Sequence, residues 1–134
     1  MKLGKYLLVI PMMVGALVLT ATGDANASTG NGVVVSSVTG GACHLELLAT
    51  WDGHGNDYAA ARITSTNNGF TCGGVLQRST DGGQTWSDAS SWHYVDSGQS
   101  VTTYNYWDGA GYLARVYGAD FTNFPVNNLW TGSW

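Results

Sequence analysis

The chain has 134 residues, enough for one ordinary domain and too few for two. Five basic residues stand against nine acidic ones, a net charge of −4, so there is no basic footprint with which to bind nucleic acid. A Rossmann-type or other α/β nucleotide enzyme has no room in this length.

From the N-terminus, Lys2 and Lys5 precede an apolar run from Tyr6 to Thr20, and Ala25-Asn26-Ala27 has the small-residue form of a processing site. Residues 1–27 are therefore expected to be a secretory signal peptide, too short and too poorly flanked for a membrane anchor. Residues 28–134 form the expected single domain, extracellular and monomeric, with three arginines, no lysine and no later segment apolar enough to span a bilayer. Its two cysteines, Cys43 and Cys72, read as one disulfide in an exported protein. Closing that loop adds roughly 3 kcal/mol in the chain-entropy description. Two thiols and three scattered histidines do not make a structural zinc site, and no metal or other cofactor is expected.

Alternation with period two dominates the remainder, and no stretch holds a helical period. Val33 to Val38 is a β-branched run. Cys43, Leu45, Leu47 and Ala49 alternate with His44, Glu46, Leu48 and Thr50. Tyr58–Ser65 and Thr71–Ser79 read as further strands, then Val101–Trp107, on which Tyr104 and Tyr106 share a face, then Tyr112–Gly118. Asp-Gly and Asn-Gly pairs at Asp52-Gly53, Asn68-Gly69, Asp81-Gly82 and Asp108-Gly109 supply the positive φ angles of tight hairpins. The expected fold is all-β, a small antiparallel β-sandwich of six to eight strands with one disulfide. One pattern occurs twice: Trp51-Asp52-Gly53-His54-Gly55 and Trp107-Asp108-Gly109-Ala110-Gly111. It records either a duplicated hairpin or one turn solution reached twice.

Ser79-Thr80-Asp81-Gly82-Gly83-Gln84-Thr85-Trp86 fits S-x-D-x-G-x-T-W and resembles the Asp-box, a hairpin turn of sialidase-like propellers and some microbial ribonucleases. The resemblance implies structural roles for Ser79, Asp81, Gly83, Thr85 and Trp86, with no activity attached. One such box in a domain this small excludes a propeller. The stretch Gly74–Tyr117 is similar to small exported actinomycete proteins of unassigned function, although Val116-Tyr117 stand where their pattern has a cysteine. Ser91-Trp92-His93-Tyr94 is faintly similar to the inhibitory turn of tendamistat-type α-amylase inhibitors, with His93 replacing their arginine.

Catalytic groupings are sparse. His44 and Glu46 share a strand face, and Glu46, one of the three histidines and Arg62 or Arg115 offer the Glu, His and Arg of a microbial ribonuclease; the competing reading is that His44 and Glu46 lie on a solvated strand face. Asp52, His54, Asn56 and Asp57 place oxygen donors along one loop but lack the glycine and distal glutamate of a calcium-binding EF-hand. The aromatic residues carry the remaining signal: Trp86, Trp92, Tyr94, Tyr104, Tyr106, Trp107, Trp130 and Trp134 exceed what a small core easily hides. The counter-expectation is that most of them fill the core, because Leu, Ile and Val are few. The leading expectation is a secreted, non-catalytic binding protein that recognises a polysaccharide or an extracellular protein through Trp92, Tyr94, Tyr104 and Tyr106. The alternatives are an enzyme inhibitor and a small secreted hydrolase such as a ribonuclease. Protein recovered from the medium should begin at Ser28 with an intact mass two hydrogens below the reduced value; a retained leader or two free thiols contradicts this reading.

Overall fold

A computed structural model describes residues 32–54, 56–67, 71–122 and 126–134. The expected leader at 1–27, Gly55 of the first repeat and the Asn68-Gly69 turn lie outside the described residues. Period-two alternation becomes ten strands: β1 Val33–Gly40, β2 Cys43–Trp51, β3 Asp57–Ser65, β4 Thr71–Ser79, β5 Ser87–Asp88, β6 His93–Asp96, β7 Ser100–Thr102, β8 Tyr106–Trp107, β9 Leu113–Asp120 and β10 Asn127–Trp130. All pairings are antiparallel. One sheet runs β1-β2-β3 with β7 and β8 both on the far side of β3; the other runs β10-β9-β4 with β5 and β6 both on the far side of β4. The ten pieces thus occupy eight strand lines, two of them interrupted.

A single device interrupts the outer lines. Thr103 N–H donates to Ala61 O, while Ala61 N–H donates to the Thr103 hydroxyl at 3.0 Å, so the side chain stands in for the carbonyl the ladder needs. Ser90 does the same opposite Leu76, and Thr131 opposite Val116. Each of the three hydroxyls then donates to the carbonyl of the following residue. All three residues are buried and fully bonded, and the bulges spoil the edges for pairing with another chain.

The sandwich interior is narrow and aliphatic. Leu45, Leu47 and Ile63 of the first sheet meet Leu76 and Val116 of the second, with Ala59, Ala61 and Ala114 between them. Two glycines set the spacing. A Cβ on Gly74 would lie 2.6 Å from Ile63 Cγ1, and one on Gly118 would lie 2.4 Å from the Gly73 carbonyl oxygen and 2.9 Å from Leu45. The Cys43–Cys72 disulfide joins β2 to β4, its Cα atoms 5.2 Å apart, so the expected pairing exists and links the sheets. Nearby, the buried Asp120 carboxylate accepts from Ala42 N–H at 3.0 Å and Thr122 N–H at 2.9 Å, tying the β1–β2 turn to the second sheet.

The counter-expectation about the aromatics is overturned: no described Trp, Tyr or Phe is fully buried. A gap held open only as far as alanine and glycine allow admits rings at its margins alone, where Tyr106 and Trp134 pack against the core. Gly74→Ala should therefore cost about 1–3 kcal/mol through overpacking against Ile63 of the facing sheet. Equilibrium chemical denaturation checks this, and an unchanged midpoint contradicts the tight interface.

Candidate functional site

One group of rings gathers on the outer face of the second sheet. Strand pairing sets Tyr94, Gly73, Ala119 and Asn128 in one cross-strand row and Val75, Tyr117 and Trp130 in the next. Directly paired residues point to the same face, so these rows form one surface. Gly73 lets the rings lie down on it: a Cβ there would meet Phe121 at 2.5 Å and Tyr94 at 2.8 Å. Trp92 stacks on Tyr94 at 6.0 Å and meets Tyr117 and Phe121 edge-on at 5.8 and 6.2 Å. Tyr94 is 60% exposed and Trp130 57%, so much of the strip is open to a ligand. Arg115 lies 4.3 Å over the Trp86 ring and bonds Gln77, which in turn bonds Asp88.

The turn after β4 fixes Trp86. Ser79 Oγ donates to Asp81 Oδ1 at 2.7 Å and accepts from Gly83 N–H at 2.8 Å. Asp81 also accepts from the backbone and hydroxyl of Thr85, and Trp86 Nε1 donates to Gly83 O at 3.0 Å. Gly82 and Gly83 take φ of 74° and 90°, which L side chains avoid. The hydroxyls of Ser79 and Thr85, with the Thr85 N–H, hold the Asp81 carboxyl well below the usual range.

The structure divides the four aromatics expected to bind. Trp92 and Tyr94 stand together on the strip, whereas Tyr104 and Tyr106 belong to the first sheet and do not share a face. The Thr103 bulge shifts the phase there, so Tyr106 pairs with inward-facing Ala59 and packs on the core, while Tyr104 is exposed. Tyr106 thus serves packing. Tyr117, Phe121 and Arg115 join the strip without having been singled out as ligand-binding. Their place follows from β9 lying beside β4, which no local pattern reveals. Ser91-Trp92-His93-Tyr94 runs into strand β6 and does not form a protruding turn.

On the outer face of the first sheet His44, Glu46 and Arg62 do converge. Arg62 Nε bonds Glu46 Oε2, and His44 Nε2 lies 3.6 Å from Oε1. The Arg62 bond and the nearby charges hold Glu46 below the ordinary carboxylate value despite partial burial. A base working near neutrality is better served by the opposite shift, and the Glu46–Arg62 bond joins β2 to β3. Among the described residues no group of three or more His, Cys, Asp and Glu side chains gathers as metal ligands.

The two W-D-G turns differ in a consequential way. Asp52 is exposed and accepts from His54 N–H at 2.7 Å, Asn56 N–H at 3.2 Å and the Asn56 amide. The Asp52 carboxylate is thus bonded within its own turn. Asp108 is only 5% exposed, and neither of its carboxylate oxygens has a hydrogen-bond partner among the described residues. It lines an open pocket of about 240 Å³ with Asp57, Gly109–Tyr112 and Trp134. Burial pushes the Asp108 carboxyl up to about 6, with Arg78 opposing and Asp57 adding to the rise.

Comparison with family models, curated proteins and solved structures returns no match.

Because its folded pKa is raised above the ordinary 3.8, Asp108 favours the folded state at low pH, and that stabilisation is lost as pH rises through about 6. Asp108→Asn, which cannot ionise, should be more stable than the parent at pH 8 by on the order of 2 kcal/mol and nearly equal at pH 3.5. Denaturation at both pH values checks this; a parent more stable than the variant at pH 8 contradicts it.

Proposed function

We propose that this protein is an exported, non-catalytic carbohydrate-binding protein that holds a polysaccharide on the outer face of its second sheet. The observation that carries the reading is the continuous aromatic strip formed by Trp92, Tyr94, Tyr117 and Phe121, with Trp86 and Trp130 on the same sheet. Sugar rings present flat apolar C–H faces that stack on such rings, and their hydroxyls need polar neighbours. Gln77, Asp88, Arg115 and Asn128 stand beside the aromatics and supply donors and acceptors. From β6 across β4 and β9 to β10 there are three inter-strand spacings, about 14 Å of width, enough for several contacts along a glycan chain. The narrow core supports the reading too, since these rings are not needed to fill the interior. The resemblance of the Ser79–Trp86 turn to an Asp-box fits as a scaffold: it fixes Trp86 beneath Arg115 at one end of the strip.

Retention on cellulose, chitin, xylan and starch, with thermal shift against soluble oligosaccharides, tests the proposal. Trp92→Ala and Tyr94→Ala should each weaken retention about five- to thirtyfold with the melting temperature little changed. Tyr104→Ala should leave retention intact. Failure to retain any polysaccharide, with capture of an extracellular protein through the same residues, would move the strip to a protein partner and overturn the carbohydrate reading.

A further inference from the structure

The two copies of the W-D-G turn are alike in sequence and unlike in bonding. Asp52 has its own turn's N–H groups as carboxylate partners, while the Asp108 carboxylate, at the same position of the second copy, has none among the described residues and the residue is nine-tenths buried. A buried carboxylate without donors is costly, and nothing in the turn requires it, since Tyr112 N–H closes the loop onto Gly109 O at 3.1 Å. The groups around Asp108 are Asp57 from β3, whose backbone carbonyl accepts Asp108 N–H, and Arg78 from β4. Arg78 is already engaged: it donates to Trp107 O at 3.0 Å and lies 5.2 Å over the Tyr112 ring. Two carboxylates against one committed guanidinium leave the pocket short of positive charge. Its remaining walls are the rings of Tyr112 and Trp134 and a rim of Gly109, Ala110 and Gly111, free of bulky side chains.

We propose that this pocket is a binding site for a small solute carrying a primary ammonium group, with Asp108 and Asp57 as the carboxylates that receive it. Charge calls for a cation, and the flanking aromatic faces favour one as well. The partnerless oxygens are closed to solvent as the side chain stands, so the donors they call for reach them through a turn of Asp108 toward the pocket; a primary ammonium has such N–H donors and a quaternary one lacks them. At about 240 Å³ the space lies below the range of sites for drug-sized ligands, roughly 300–1,000 Å³, and suits a group of few heavy atoms. The pocket shares no residue with the aromatic strip, so it is a second site, and it stands or falls independently of polysaccharide binding.

The probe is methylammonium, titrated into the disulfide-bonded chain and followed by two-dimensional NMR. Saturable shifts are expected at Gly109–Tyr112 and at the Trp134 indole at pH 7. Tetramethylammonium and methanol should give none. D-Glucosamine should bind and N-acetyl-D-glucosamine should not, which extends the site to amino sugars; methylammonium binding without glucosamine binding restricts it to smaller amines while upholding it. Because the cation needs ionised Asp108, the affinity for methylammonium should fall about tenfold between pH 7 and pH 5. Asp108→Asn should abolish binding and Asp57→Asn should weaken it, both in disulfide-bonded protein whose amide spectrum shows the fold unchanged. Equal shifts from methylammonium and tetramethylammonium, no saturable shift at all, or unchanged binding by folded Asp108→Asn would overturn the proposal.

Discussion

The close approach of the two sheets is the constraint from which the rest of this structure follows. Gly74 and Gly118 leave no room for a Cβ, and Ala59, Ala61 and Ala114 keep the neighbouring space shallow. The disulfide from β2 to β4 holds that spacing covalently, beside the Asp120 carboxylate that receives Ala42 N–H. An interior so thin is filled by a handful of Leu, Ile and Val side chains. Rings that would form the core of a wider sandwich are displaced to its faces and ends, where they are available for recognition. Composition alone misleads here: an aromatic-rich chain with few branched aliphatics suggests an aromatic core, and the glycines inside β4 and β9 decide against it.

The hydroxyl bulges at Ser90, Thr103 and Thr131 are the second determinant. At each, a buried side chain takes over one backbone acceptor position, so the line breaks without leaving an unpaired group. The Ser90 bulge separates β5 from β6 and precedes Trp92 and Tyr94, which return to the outer face of β4. The Thr103 bulge turns Tyr106 inward, and the Thr131 bulge leads the chain back to β9, where Trp134 exchanges backbone bonds with Ala114. Edge irregularity and placement of aromatic residues therefore have a common cause.

Much of this fold was legible in the sequence because period-two alternation is a local signal. Cys43 to Ala49, Tyr58 to Ser65 and Thr71 to Ser79 each fall within an observed strand, and an even cysteine count was enough to expect the bridge. The site was legible only in part. Trp92 and Tyr94 were visible as a pair two residues apart, but their contacts with Tyr117 and Phe121 depend on β6 and β9 flanking β4, a property of sheet order. Tyr106 was misplaced because a threonine hydroxyl in place of a carbonyl leaves no mark on the hydrophobic pattern. Asp108 was indistinguishable from Asp52 because both sit in the same W-D-G motif; burial, which depends on the tertiary fold, separates them.

Burial, bonding and chemistry agree on how the two faces differ. On the first sheet the charged side chains satisfy one another, with Glu46 held between Arg62 and His44. On the second the rings touch mainly each other and remain open outward. The central claim is that the second face is the recognition surface, and a backbone-amide NMR titration with a soluble oligosaccharide of the retained polymer tests it most directly. Shifts are expected at Gln77, Tyr94, Arg115, Tyr117 and Asn128 and their neighbours alone, with His44, Glu46 and Arg62 unmoved. Shifts centred on the first sheet, or none at saturating ligand, would contradict it.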